Sequence, residues 1–187
     1  MNRSIGLLIL AVIIAALFLV LRRSPAPNPP AAASPTTTEA LAPLAPTSGS
    51  SVQGTVRFTQ TDQGLRIVAE VSGLEPNTQH GFHIHEVGDC SAPDASSAGG
   101  HYNPTASAHG SPDSPEHHAG DLGNLEAGED GRARYERTMA DLALEGGLAS
   151  VLGLSVVVHA NPDDLTTQPS GNAGPRVACG VIEAAEG

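Results

Sequence analysis

The sequence predicts an all-β fold, an antiparallel β-sandwich or barrel carrying two long functional loops. Three observations lead there. Short segments alternate apolar and polar residues with a period of two. Clusters of Gly, Pro, Asp and Asn punctuate them. No stretch of the folded part shows a convincing amphipathic helical period.

The alternation is clearest early in the folded part. Val56 and Phe58 alternate with Thr55 and Arg57, and Leu65, Ile67, Ala69 and Val71 with Arg66, Val68 and Glu70. Further strands are expected over residues 80–86, 132–138, 154–160 and 177–183. Turn signals separate them at Asp62-Gln63-Gly64, Glu75-Pro76-Asn77 and Glu129-Asp130-Gly131. Residues 140–148 offer at most a short helical turn. Two Tyr, three Phe and no Trp leave a core of Val, Ile, Leu and Ala. The two loops, residues 88–124 and 161–176, are long for a compact domain, and such loops usually carry function.

Three regions follow from composition. Residues 1–23 read as an N-terminal membrane anchor or signal segment, because Ile5 to Leu21 is almost wholly aliphatic. As a helix it would be about 25 Å long, near the lower limit for a bilayer. Leu19-Val20-Leu21-Arg22-Arg23 lacks the small residues of a cleavage site, so a retained transmembrane helix is expected. Residues 24–51 hold seven prolines among Ala, Ser and Thr and are expected to be a disordered linker. Residues 52–187 are expected to form the single folded domain.

Charge excludes one class of partner. The net charge is -11, and all nine basic residues are Arg. From Val52 onward, 19 acidic residues face six Arg, so no basic face exists to neutralise phosphates and no nucleic-acid partner is expected. A homodimer is compatible with the sequence, although no exposed apolar stripe marks an interface.

The histidines carry the chemistry. All eight lie between His80 and His159. Strand alternation puts the rings of His83 and His85 on one face, close enough to share a metal. The following loop adds His101, His109, His118 and Asp121, and His159 ends the apolar run Ser155-Val156-Val157-Val158. Imidazole suits copper and zinc. Three nitrogens and a carboxylate make a closed zinc site, and four nitrogens suit tetragonal copper. Six histidines fill seven nitrogen positions only if one imidazole is shared, which suggests a bridged pair without proving it.

Four segments then resemble the Cu/Zn superoxide dismutases, of the bacterial, exported type. They are Gly81-Phe82-His83-Ile84-His85-Glu86, Gly100-His101-Tyr102-Asn103-Pro104, Gly120-Asp121-Leu122-Gly123-Asn124 and the stretch from Gly171 to Val181. The resemblance spans residues 52–185 and implies Greek-key connectivity. It implies one copper per chain on His83, His85, His101 and His159, and one zinc per chain on His101, His109, His118 and Asp121. His101 is the implied bridge. Asp163 would link a copper histidine to a zinc histidine, fixing both rings. Arg176 would flank the copper and orient the superoxide anion. His101 and Arg176 are the implied catalytic groups, in a cycle that converts superoxide to oxygen and hydrogen peroxide. Relatives place lysines near the channel, and this chain has none. His80 falls outside the implied ligand set and is read as structural; His117 is read as a solvated neighbour of His118.

The resemblance also implies a disulfide between Cys90 and Cys179 that pins the metal-binding loop to the last strand. With the apolar N-terminus, this implies an oxidising, extracytoplasmic location, in the periplasm or at the cell surface, tethered by the N-terminal segment. Two other classes stay open. One is a periplasmic copper-binding or buffering protein on the same fold. The other is a cupin-type metal enzyme, which would need a Glu three or four residues after His85, where Gly88 and Asp89 stand.

Overall fold

The computed structural model describes residues 37–147 and 149–185. The expected anchor, residues 1–23, and residues 24–36 of the expected linker lie outside them. Among the described residues no helix is long and apolar enough to cross a membrane.

Among the described residues nine strands form one sheet: β1 (Glu39–Pro46), β2 (Gln53–Thr61), β3 (Gly64–Ser72), β4 (Gln79–His85), β5 (Asp121–Glu126), β6 (Ala133–Met139), β7 (Ser155–His159), β8 (Arg176–Val181) and β9 (Glu183–Ala184). Their order is β5-β4-β7-β8-β1-β2-β3-β6, with β9 beside β1. The neighbours β4–β7, β8–β1 and β3–β6 are not consecutive in sequence, which is the Greek-key signature. Every strand pair is antiparallel. The ends of the path, β5 and β6, meet where Tyr135 Oη donates to Leu122 O at 2.9 Å, so the barrel is nearly closed. Its interior is aliphatic, with Phe58 and Phe82 the fully buried aromatics among Leu65, Ile67, Ile84, Leu125 and Ile182.

The linker expectation is corrected at its C-terminal end. Glu39–Pro46 is a strand that pairs with β2 from Glu39↔Thr59 to Leu44↔Gly54 and also meets β8 and β9. Ala40, Ala42 and Leu44 point into the core. Two alanines among three inward positions give a weak apolar signal, and proline normally argues against an inner strand. Here Pro43 falls between the rungs to β9 (Ala40, Leu41) and those to β8 (Ala45, Pro46), where the partner strands themselves break.

Other boundaries shift for local reasons. The first loop ends at Gly120, because Asp121–Glu126 is β5, although Gly123 sits at φ 84° within it. Residues 140–147 form no helix; Ala143 instead bridges Ser150. Among the described residues the helical element is a single 3-10 turn at Ser96–Ala98.

The Cys90–Cys179 disulfide is present, with Cα atoms 5.7 Å apart across 89 positions. It ties the first loop to β8, beside a small cluster of Ala95, Ala98 and Val157. Closing a loop of that length restricts the unfolded chain by about 4–5 kcal/mol in the entropy account. Reduction should therefore lower the denaturant midpoint by the equivalent of several kcal/mol. An unchanged midpoint for the fully reduced protein would contradict that.

Candidate metal centre

Strand β4 supplies His83 and His85, paired to β7 at Val157 and Ser155. The β4–β5 ladder shifts register between Gly81 and His83, where the ligand-bearing end of β4 begins. His85 bridges His101 in backbone pairing, which draws the first loop across the sheet. His159 ends β7, opposite Arg176 at the start of β8. The result is two buried groups of four, His83-His85-His101-His159 and His101-His109-His118-Asp121. Within each, the ligand atoms lie within 4.8 Å of one another, and His101 belongs to both.

Hydrogen bonding decides which ring nitrogens are free. His83 Nε2 donates to Asp163 Oδ2 at 2.8 Å, leaving the lone pair on Nδ1, a buried atom without a partner. His85 Nδ1 donates to Gly99 O at 3.0 Å and His159 Nδ1 to Gly174 O at 3.1 Å. Both tautomers then carry their lone pair on Nε2, and these two atoms face each other at 3.3 Å. Two lone pairs that close are repulsive unless a cation sits between them. A proton is a poor candidate. Burial lowers His159 to about 3 and His83 to about 4, and holds His85 well below the ordinary range. His101 Nε2 is likewise buried without a partner. His83, His85 and His159 therefore converge as neutral imidazoles, the form a metal ion takes.

The second group is built around a carboxylate. Asp121 is fully buried, and burial alone would raise its pKa. His101 Nδ1 donates to Oδ1 and the N–H groups of Gly110 and His118 donate to Oδ2; with the His109 ring close by, these outweigh burial and hold the carboxyl well below its usual range. His109 and His118 Nδ1 are buried without hydrogen-bond partners, 3.0 and 3.3 Å from the Asp121 oxygens. Burial opposes charge on His109, but Asp121 and Asp163 on either side raise it to about 9. Three nitrogens with one carboxylate are the donors zinc accepts.

Asp163 stands between the groups. Its Oδ2 meets His83 and its Oδ1 meets His109 Nε2 at 2.9 Å. Asn124 on β5 holds the Asp163 backbone in both directions, accepting from its N–H at 2.7 Å and donating to its C=O at 2.9 Å. Gly171, at φ 62°, packs so close that a Cβ would lie 1.7 Å from Asp163 Oδ1. Gly171→Ala should therefore displace Asp163 and loosen both His83 and His109. Metal analysis showing full copper and zinc in that variant would contradict this.

The Arg176 guanidinium donates to the carbonyls of Ala95 and Gly99 and lines an open cleft with His85, His101 and His159. The remaining Arg among the described residues each sit within 4.0 Å of a carboxylate, and Arg176 does not. His80 lies outside both groups; its Nδ1 donates to His159 O at 2.9 Å and so steadies the strand end that carries His159. His117 also lies outside them but is less solvated than expected. It is half-buried, its Nδ1 donates to Ser114 O at 2.9 Å, and its Nε2 is 3.7 Å from Asp141. Asn124 and the carbonyls of Ala95, Gly99 and Gly174 hold the site without any signal in the sequence. Backbone acceptors leave no mark in residue identity.

A sequence model of the copper/zinc superoxide dismutase (SODC) family matches residues 52–182. The chain belongs to that family. It is 43% identical over 137 residues to a superoxide dismutase [Cu-Zn] of Paramecium bursaria Chlorella virus 1, covering 70% of this chain and 72% of the relative. Among solved structures it is similar to a double mutant of a SOD-like protein from Bacillus subtilis. That likeness has a TM-score of 0.70 and 39% identity, and covers 76% of this chain and 96% of the other. The activity is superoxide dismutation, in which two superoxide anions and two protons give oxygen and hydrogen peroxide. Copper and zinc are the metals of the family, and the two groups of donors are compatible with them. Copper buffering on the same fold is not favoured. The family match begins after β1, although β1 completes the barrel.

Proposed function

We propose that one copper per chain is held by His83 Nδ1 and by Nε2 of His85, His101 and His159. One zinc is held by Nδ1 of His101, His109 and His118 and by Asp121. The observation that carries this assignment is the sharing of His101 between two buried four-donor groups whose uncommitted nitrogens converge. When bound, copper supplies the one-electron redox chemistry and zinc supplies a fixed charge that holds the loop.

The chain's own residues do the rest. Arg176 offers a fixed guanidinium at the cleft, where it binds and orients a small anion. His101 Nε2 is the atom placed to hold a proton between the two half-reactions, since it lies on the copper side while Nδ1 lies 2.9 Å from Asp121. Asp163 keeps His83 and His109 in their tautomers. Arg176→Ala should lower kcat/KM by about 10–100-fold with metal content intact; a fall of less than twofold would remove Arg176 from the reaction.

Steering is weak by this account. The chain carries a net charge of -11, so its overall field repels superoxide. Added salt should screen that repulsion, and kcat/KM should rise with ionic strength. A steep fall with salt would reveal an attractive channel that Arg176 alone does not explain.

The disulfide supports an extracytoplasmic location. Tethering through residues 1–23 is part of the proposal, with the linker now ending before Glu39. Among the described residues Val87 is the exposed large apolar side chain, and we propose no dimer from it.

The ligand assignment is tested by metal analysis of His118→Ala, which removes a zinc donor outside the copper group. Copper should stay at one per chain and zinc should be lost. Full retention of zinc would contradict the assignment.

A further inference from the structure

The second loop grips His109 twice. Asp163 takes the ring, as described above. Gln168 takes the backbone. Its Oε1 accepts from His109 N–H at 2.8 Å and its Nε2 donates to His109 C=O at 2.8 Å. A primary amide offers one acceptor and two donors. The remaining donor reaches Thr166 O at 3.2 Å, which fixes the amide to its own loop.

Packing does not explain this arrangement. Gln168 is exposed, whereas His109 is buried. The amide matches both polar groups of one residue's main chain, the same device by which Asn124 holds Asp163. The next two residues, Pro169 and Ser170, line the cleft beside His85, His159 and Arg176. One side chain therefore ties the wall of the cleft to the backbone of a candidate zinc ligand.

We infer that Gln168 is a positioning residue, whose two-way clamp on the His109 backbone holds zinc in place and anchors the Pro169–Ser170 wall of the cleft to it. The inference rests on the zinc assignment above. It also orders the variants. Gln168→Ala removes both bonds. Gln168→Glu keeps an acceptor for His109 N–H but sets a carboxylate oxygen against His109 C=O, so it should be at least as damaging. Because the side chain is exposed, both variants should fold.

The test is the rate at which the full chain, loaded with copper and zinc, releases zinc to a chromogenic chelator. It is run beside the visible spectrum of cobalt placed in the zinc site. Thr167→Ala is the control in the same loop, since that hydroxyl bonds Asp164 and Asn172 and no candidate ligand. Both Gln168 variants should release zinc about tenfold faster and shift the cobalt spectrum, while Thr167→Ala behaves as wild type. Release from Gln168→Ala at the wild-type rate overturns the inference. Equal acceleration in Thr167→Ala also overturns it, as general loosening of the loop. A wild-type chain that holds no zinc overturns the underlying assignment instead.

Discussion

Replacing His159 with alanine should reduce superoxide turnover to that of free copper while zinc stays bound. His159 belongs to one group of donors only. Its Nε2 faces His85 Nε2, its Nδ1 is committed to Gly174 O, and it makes no hydrogen bond to Asp121, His109 or His118. Removing the ring takes one nitrogen from a four-nitrogen set and opens the floor of the cleft to water. The zinc donors keep their full number and their hydrogen bonds to the loops. His85→Ala should behave alike, because its ring also serves the copper group alone. The measurement is turnover together with copper and zinc content. Full activity in a copper-depleted His85→Ala or His159→Ala protein would refute the assignment.

A chain begun at Val52, where the family match starts, should fail to fold cooperatively. β1 lies between β2 on one side and β8 and β9 on the other. Its loss leaves the edges of β2 and β8 unpaired and uncovers the core that Ala40, Ala42 and Leu44 close. It also removes Thr47, whose hydroxyl donates to Arg176 O at 2.8 Å, next to the cleft. The combined cost should be comparable to the about 5–15 kcal/mol that hold a whole domain together. A chain begun at Thr37 should show a single unfolding transition, and one begun at Val52 none. Cooperative unfolding of the shorter chain at a similar midpoint would show β1 to be dispensable.

These two expectations mark what the sequence displayed and what it hid. β2 and β3 were legible because branched aliphatics alternate with charged residues through both. β4 and β7 were legible as strands, and the histidines stood out within them because polar rings in apolar runs need a reason. β1 was hidden, since its inward positions are two alanines and one leucine, and its prolines resemble those of the preceding segment. β5 was hidden by Gly123 and Asn124, which read as loop. In the site, side chains with strong chemical identity were visible. The second loop's grip was not, because Asn124 and Gln168 act on main-chain groups and Thr-Thr-Gln-Pro looks like any polar loop. The orphaned nitrogens are also invisible in sequence. They exist only once Asp163 has taken His83 Nε2 and His109 Nε2 and Asp121 has taken His101 Nδ1.

The most direct test of the account is the dismutation rate of the full chain measured beside its metal content after loading with copper and zinc. The account predicts one copper and one zinc per chain, with turnover that tracks bound copper and disappears when copper is withdrawn. Both metals bound at that ratio, with turnover no greater than that of free copper, would contradict it.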